Sequence, residues 1–225
     1  MKLVQLLNEI IKEAVPVPEE LKGKTWYHGT KEELVQKIIS EKALIPPTTP
    51  GKGDMSPQLG KVYITSDVKE GIGYAFFRNG GHLEYPRPGW ETKEAYGYLV
   101  VIQGTDMKEY EPDEDIVADL VGDYDSNKEN GVHKYQWLRD LSQRVAPKQF
   151  DKYEKQGDYA YGTKLGKMVV KYLTPAQKLL LVLAGKKMGH EGSIPVSEVW
   201  KLDQRKREEY LKNPEGFRDI SEKLL

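Results

Sequence analysis

Three short stretches of this chain carry residue types that do chemistry as well as fill a core. The first is His28-Gly29-Thr30, which follows the strand-like run from Thr25. An imidazole beside a glycine can bond a hydroxyl-bearing ligand, and the missing side chain lets a planar group approach the main chain. The same pair suits an ordinary turn. The second stretch is Gly60-Lys61-Val62-Tyr63-Ile64-Thr65, with Gly73-Tyr74-Ala75 after it, so that Tyr74 stands 11 residues beyond Tyr63. A tyrosine on a strand and one on the following helix can wall a slot for a flat aromatic or amide-bearing ring. Core packing with bonded hydroxyls is the competing role for each. The third is Gly192-Ser193-Ile194-Pro195-Val196-Ser197-Glu198-Val199-Trp200. A carboxylate opening an apolar strand pays desolvation unless something contacts it, which makes Glu198 a candidate functional acid. A surface glutamate on an edge strand is the alternative. Glu191, between His190 and Gly192, is a rival carboxylate in a segment that reads as loop.

Taken in this order, the three stretches resemble the ADP-ribosyltransferase superfamily. The likeness is to its His-Tyr-Glu branch, which includes poly(ADP-ribose) polymerases and diphtheria-toxin-like enzymes. It covers about residues 25–105 and 190–203. The resemblance implies an α+β fold with a split β-sheet core. It implies NAD as substrate, with ADP-ribose moved to a macromolecular acceptor and nicotinamide released. His28 would bond a ribose hydroxyl, Gly29 and Thr30 would meet the nicotinamide amide, and Tyr63 and Tyr74 would sandwich its ring. Glu198 would hold the ribose 2′-hydroxyl and stabilise an oxocarbenium-like transition state, an electrostatic role a rigid carboxylate can fill. His28, Tyr63 and Glu198 are thus the catalytic set. The loops Pro46–Gly60 and Gly80–Gly89 would cover the dinucleotide. Two positions depart from the family pattern. Val196 stands where arginine-modifying members carry Glu or Gln, and Gly71 stands near a position often occupied by serine. An NAD glycohydrolase, an RNA 2′-phosphotransferase and a silent binding protein are the other outcomes such a fold allows. The phosphotransferase needs basic groups near the histidine, where only Lys24 and Lys31 are at hand.

The elements that must position these residues follow from periodicity and punctuation. Leu3, Leu6, Leu7, Ile10 and Ile11 share one helical face, and Val15-Pro16-Val17-Pro18 is a stiff link, so residues 1–20 read as an N-terminal helix and linker ahead of a single domain, 21–225. Thr30 with Glu33 gives a capping box for a helix whose apolar face is Leu34, Val35, Ile38 and Ile39. Val62–Thr65 reads as a strand, Ser66 and Asp67 start a helix to about Phe77, and Ala95–Gln103 is a strand. From Pro112 helices dominate. They are expected from Asp113 to Val121, from Val132 to Val145, from Lys164 to Leu173, and after the Thr174-Pro175 cap. Gly189–Pro195 reads as loop, Val196–Leu202 as the last strand, and charged helices close the chain. The expected architecture is therefore a split sheet with a helical insertion at about 112–190 before the strand of Glu198.

Composition narrows the function classes. The chain has 225 residues, 34 Lys and Arg against 35 Asp and Glu, and no cysteine. That excludes a uniformly basic nucleic-acid binder, a disulfide framework, thiolate metal sites and a cysteine nucleophile. The four histidines have no metal-ligand spacing, and no glycine-rich dinucleotide fingerprint is present, so neither a metal nor hydride transfer is expected. The longest apolar run, near Leu179–Ala184, is far short of a membrane span, and the start lacks secretory character; the expected setting is the cytoplasm, of its own or a host cell for a toxin or phage effector. Charge is segregated. Residues 81–130 hold 4 basic and 13 acidic residues, whereas 131–190 hold 12 basic and 4 acidic. The basic block interleaves Tyr135, Trp137, Phe150, Tyr153, Tyr159, Tyr161 and Tyr172, which suits either solvated helix faces or a protein or nucleic-acid acceptor. Mono-transfer is the expected mode.

Overall fold

A computed structural model describes residues 18–49, 59–76, 96–104, 110–122, 124–129, 131–157 and 159–225. The N-terminal apolar stretch, most of the Pro46–Gly60 loop and the Gly80–Gly89 loop lie outside the described residues. In chain order the elements are α1 (Glu19–Lys22), β1 (Thr25–Thr30), α2 (Glu32–Glu41), β2 (Ala43–Leu44), β3 (Lys61–Thr65), α3 (Val68–Phe76), β4 (Tyr96–Gln103), β5 (Tyr110–Pro112) and α4 (Glu114–Val121). There follow β6 (Lys128–Glu129), β7 (Val132–His133), α5 (Gln136–Val145), α6 (Pro147–Gln156), α7 (Tyr159–Val169) and α8 (Pro175–Gly185). The chain closes with β8 (Lys187–Glu191), β9 (Ile194–Pro195), β10 (Glu198–Asp203), α9 (Arg207–Lys212), α10 (Phe217–Ile220) and β11 (Glu222–Lys223). The protein is mixed α+β with a mostly antiparallel sheet, in two compact units.

The first unit comprises 1–46, 64–109 and 190–225, and its strands lie in the order β11-β10-β4-β1-β3. Strand β4 is central because its run Tyr98–Ile102 is apolar on both faces and fully buried, the pattern of a doubly covered strand. Its antiparallel register sets Gly29 opposite Leu99, Tyr27 and Glu198 opposite Val101, and His28 and Val199 opposite Val100. Helix α3 packs on the face of Tyr27, Leu99, Val101, Trp200 and Leu202, joined there by Tyr210 and Phe217. Each such large side chain, once buried, contributes about 1.5–3 kcal/mol. Asp67 starts α3 as expected. Its Oδ1 accepts from Lys69 N at 3.0 Å and Glu70 N at 3.3 Å. The helix approaches the sheet closely. A Cβ on Gly29 would lie 2.5 Å from Gly71 O and from the Tyr74 carbonyl carbon, and closer still to Ala75 N.

The second unit comprises 47–63 and 110–189. Its helices α4 to α8 enclose Val117, Val121, Leu138, Phe150, Tyr153, Leu165, Val169 and Leu181. Gly166 of α7 lies against the Glu114 backbone, where any side chain would collide, so α7 and α4 pack at short range. Arg139 of α5 grips Glu154 of α6 through Nη1 at 3.1 Å and Nη2 at 2.8 Å. The Thr174–Gln177 capping box opens α8 as the sequence predicts.

Four local expectations are corrected. Thr30 is not a helix cap. It ends β1 paired with Tyr98, and Lys31 stands at the N-cap with no side-chain bond, because the six-residue ladder with β4 holds Thr30 extended. The helix expected from Val132 begins at Gln136. Val132–His133 instead pair with Lys128–Glu129, and His133 pins the turn, with Nδ1 accepting from Tyr135 N at 3.1 Å and Nε2 donating to Gly122 O at 3.0 Å. The Gly189–Pro195 loop is mostly strand. Buried Met188 and His190 carry β8 to Glu191, and Ile194–Pro195 pair with Ala43–Leu44. The helix expected over Lys164–Leu173 runs Tyr159–Val169 and ends in a tighter turn, Val170–Tyr172, while α6 had no sequence expectation at all.

Candidate functional site

Strand β1 carries His28, Gly29 and Thr30 in succession. Partners across antiparallel strands share a face, and successive residues alternate. His28 and Thr30 therefore lie with Val100, Tyr98 and Val199, whereas Gly29 lies with Leu99, Tyr27 and Val101 under α3. His28 is half-buried and Thr30 is buried. Gly29 has its missing side chain filled by the α3 backbone at Tyr74 and Ala75. The glycine that reads from sequence as an opening for a ligand is required first by this helix contact. The same contact sets Gly29 against the backbone of Tyr74, a residue half-buried on α3.

Glu198 is the first residue of β10 and sits on the Tyr27 face, two strands from β1, about 10 Å at the usual strand spacing. The register thus places Glu198 and His28 on opposite faces. The Glu198 side chain is one-quarter exposed. Its Oε2 accepts three donors: Trp200 Nε1 at 2.8 Å, Arg218 Nε at 3.1 Å and Arg218 Nη2 at 3.0 Å. Its Oε1 meets only Lys223 Nζ among these partners, at 3.5 Å. Burial alone would raise its carboxyl, but the bonds from Trp200 and Arg218 and the charges of Arg218 and Lys223 outweigh it and hold the group below the usual carboxylate range. The contact that the sequence argument demanded is thus supplied by Trp200 of the same strand and by the C-terminal segment. Glu191, the rival, is exposed at the end of β8.

Tyr63 belongs to the second unit. Its hydroxyl donates to Glu114 Oε1 at 2.9 Å. Nearby on β3, Lys61 pairs with Glu111, which Lys178 also grips at 2.8 Å. Burial works against the Glu111 charge, and the two lysines more than offset it, so its carboxyl is lowered.

Sequence reasoning missed Trp200, Arg218 and Lys223. Trp200 had a signal: two residues beyond Glu198 on a strand, it shares the glutamate's face. Arg218 and Lys223 lie 20 and 25 residues beyond Glu198, and nothing local marks them. A polar hollow of about 390 Å³ lined by Tyr96, Lys201, Asp203, Lys206 and Glu222 lies elsewhere on this unit. Lys201 there pairs with Glu222 and stacks on Tyr96, on the face opposite Glu198. Among the described residues no cluster of His, Asp or Glu has metal-binding geometry, and no helix is long and apolar enough to cross a membrane. Comparison with protein-family models, curated proteins and solved structures yields no match.

Proposed function

We propose that this protein is an NAD-dependent ADP-ribosyltransferase with an ADP-ribosyltransferase-like split sheet, acting by mono-transfer on a protein or nucleic-acid acceptor in the cytoplasm of its own or a host cell. In that reaction the bond between ribose C1′ and the nicotinamide nitrogen breaks, and its electron pair leaves with nicotinamide. An acceptor nucleophile then bonds C1′ and releases its proton. The observation that carries the reading is the packing of Gly29 on the Tyr74–Ala75 backbone, which sets the glycine that would meet the nicotinamide amide against the helix bearing one of the two tyrosines that would bracket its ring. The hydrogen bonds that Trp200 and Arg218 give Glu198 favour its charged form and support the reading, since positive charge developing on the ribose needs a carboxylate and not a carboxylic acid. The basic segment 131–190 is the acceptor-recognition surface.

The test is incubation of the full chain with NAD, with nicotinamide release followed by chromatography. Labelled NAD and a cell lysate, then separate nuclease and protease digestion, identify the acceptor class. Glu198→Gln is expected to keep NAD affinity within about tenfold and to cut turnover by at least ~10²-fold, the scale of one lost electrostatic stabiliser. Glu191→Gln retains most activity. An active Glu198→Gln protein, or no nicotinamide release by the unchanged chain, refutes the assignment.

A further inference from the structure

We propose that Arg218 is the positioning residue of Glu198: with the Trp200 indole it clamps Oε2, and it leaves Oε1 as the oxygen that meets the substrate. The proposal rests on the transferase reading of Glu198. Its basis is the asymmetry of the carboxylate. Among the described residues three short donors converge on Oε2, two of them from the one guanidinium, whereas Oε1 has a single long contact to Lys223. A carboxylate so held cannot rotate its two oxygens freely, and a group that must meet a ribose hydroxyl needs that restraint.

Arg218 is itself held in place. Its neighbour Phe217 is fully buried and edge-on to Tyr27 at 6.3 Å and to Trp200 at 5.7 Å. The guanidinium lies 4.6 Å from the Phe217 ring centroid and 5.9 Å from that of Trp200. Strand β11 then pairs with β10, with Trp200 opposite Lys223, and Leu224 N donates to Val199 O at 2.8 Å. The chain beyond Asn213 therefore serves as a rigid arm that delivers one cation to one oxygen. Among the described residues the charged and titratable groups around Glu198 are Arg218 and Lys223, with Tyr27 on the same face and Glu215 acting on Tyr27.

The experiment uses the full chain with Arg218→Gln and Arg218→Lys. Glu198 is titrated directly by carbon NMR of labelled glutamate, and kcat and KM for NAD cleavage are measured against pH. In Arg218→Gln the Glu198 midpoint rises, the acid limb of kcat follows it, kcat falls at least about tenfold and KM stays within about threefold. Arg218→Lys keeps the charge without the two-pronged donor, so the midpoint stays near the wild-type value and kcat recovers only in part. An unmoved midpoint, an unchanged kcat in Arg218→Gln, or full recovery in Arg218→Lys overturns the proposal. Should Arg218→Gln fail to fold, Arg218→Lys decides: reduced kcat with an unchanged melting temperature supports the clamp, and wild-type kcat overturns it. Absence of NAD cleavage by the unchanged chain instead overturns the transferase reading and the role of Arg218 with it, whereas cleavage that is indifferent to Arg218 overturns only the positioning role.

Discussion

Replacing Gly29 by alanine is the most direct probe of how the β1–α3 unit is built. The added methyl would lie 2.5 Å from Gly71 O and from the Tyr74 carbonyl carbon, nearer to Ala75 N, and all three are backbone atoms of one helix. No side chain can swing aside. The helix must retreat by about 1 Å to restore ordinary contact, and a gap of that size forfeits a quarter to a half of the dispersion energy along the interface. Ile72, Ala75 and Phe76 then lose part of their packing on Leu99 and Val101. The cost is set at the upper end of core overpacking, about 3 kcal/mol, which for a chain of this size lowers the melting temperature by roughly 6–12 °C. The assay is thermal and urea unfolding by circular dichroism without any ligand. A melting temperature within a degree of the unchanged protein would refute the helix-contact account and return Gly29 to a purely ligand-facing role. Loss of stability together with loss of NAD binding is the expected pair, because the same retreat moves Tyr74.

Three further outcomes are expected, the first and last on the proposed function and the second on the structure. Tyr74→Ala weakens NAD binding by about 1–3 kcal/mol, the worth of a lost aromatic stack, and calorimetry showing unchanged affinity in the folded variant removes Tyr74 from the slot. Asp113 caps α4 through Asp115 N at 3.0 Å, and burial, then the Asp115 charge, push its carboxyl up to about 7. Its folded value exceeds the unfolded ~3.9, so its contribution is full below about pH 4 and is lost as pH rises through 7. Asp113→Asn keeps the capping oxygen and should flatten the fall in urea midpoint between pH 5 and 8; an identical pH profile in the variant contradicts this. Changing Lys164, Lys167 and Lys171 of the basic helical segment to Glu should abolish acceptor labelling and spare NAD cleavage in water, whereas an equal fall in both activities in a folded variant makes the block part of the NAD site or the core.

The residue periodicity was enough to locate α3, β4, α4 and the Thr174 cap, because each depends on signals within a few residues: Asp67 and Asp113 supply their own caps, and the Tyr96–Gln103 run is apolar enough to be central in any sheet. It also singled out Glu198 as a carboxylate that needs a partner. What it could not supply was anything set by register or by residues distant in the chain. Thr30 has the side chain of a cap, yet pairing with Tyr98 keeps it in the strand, since a ladder bond excludes the helical backbone a cap introduces. Whether His28 and Glu198 share a face depends on the pairing of β1 and β10 with β4, and a one-residue slip would reverse the answer. Gly29 reads as a ligand opening until α3 is laid across it. Arg218 reads as one more surface cation until the C-terminal arm folds back and Phe217 buries itself between Tyr27 and Trp200. The sequence alone thus determined which residue types are available for chemistry. The tertiary structure decided which atoms meet, because contact across strands and between remote segments is a property of packing and leaves no periodic trace along the chain.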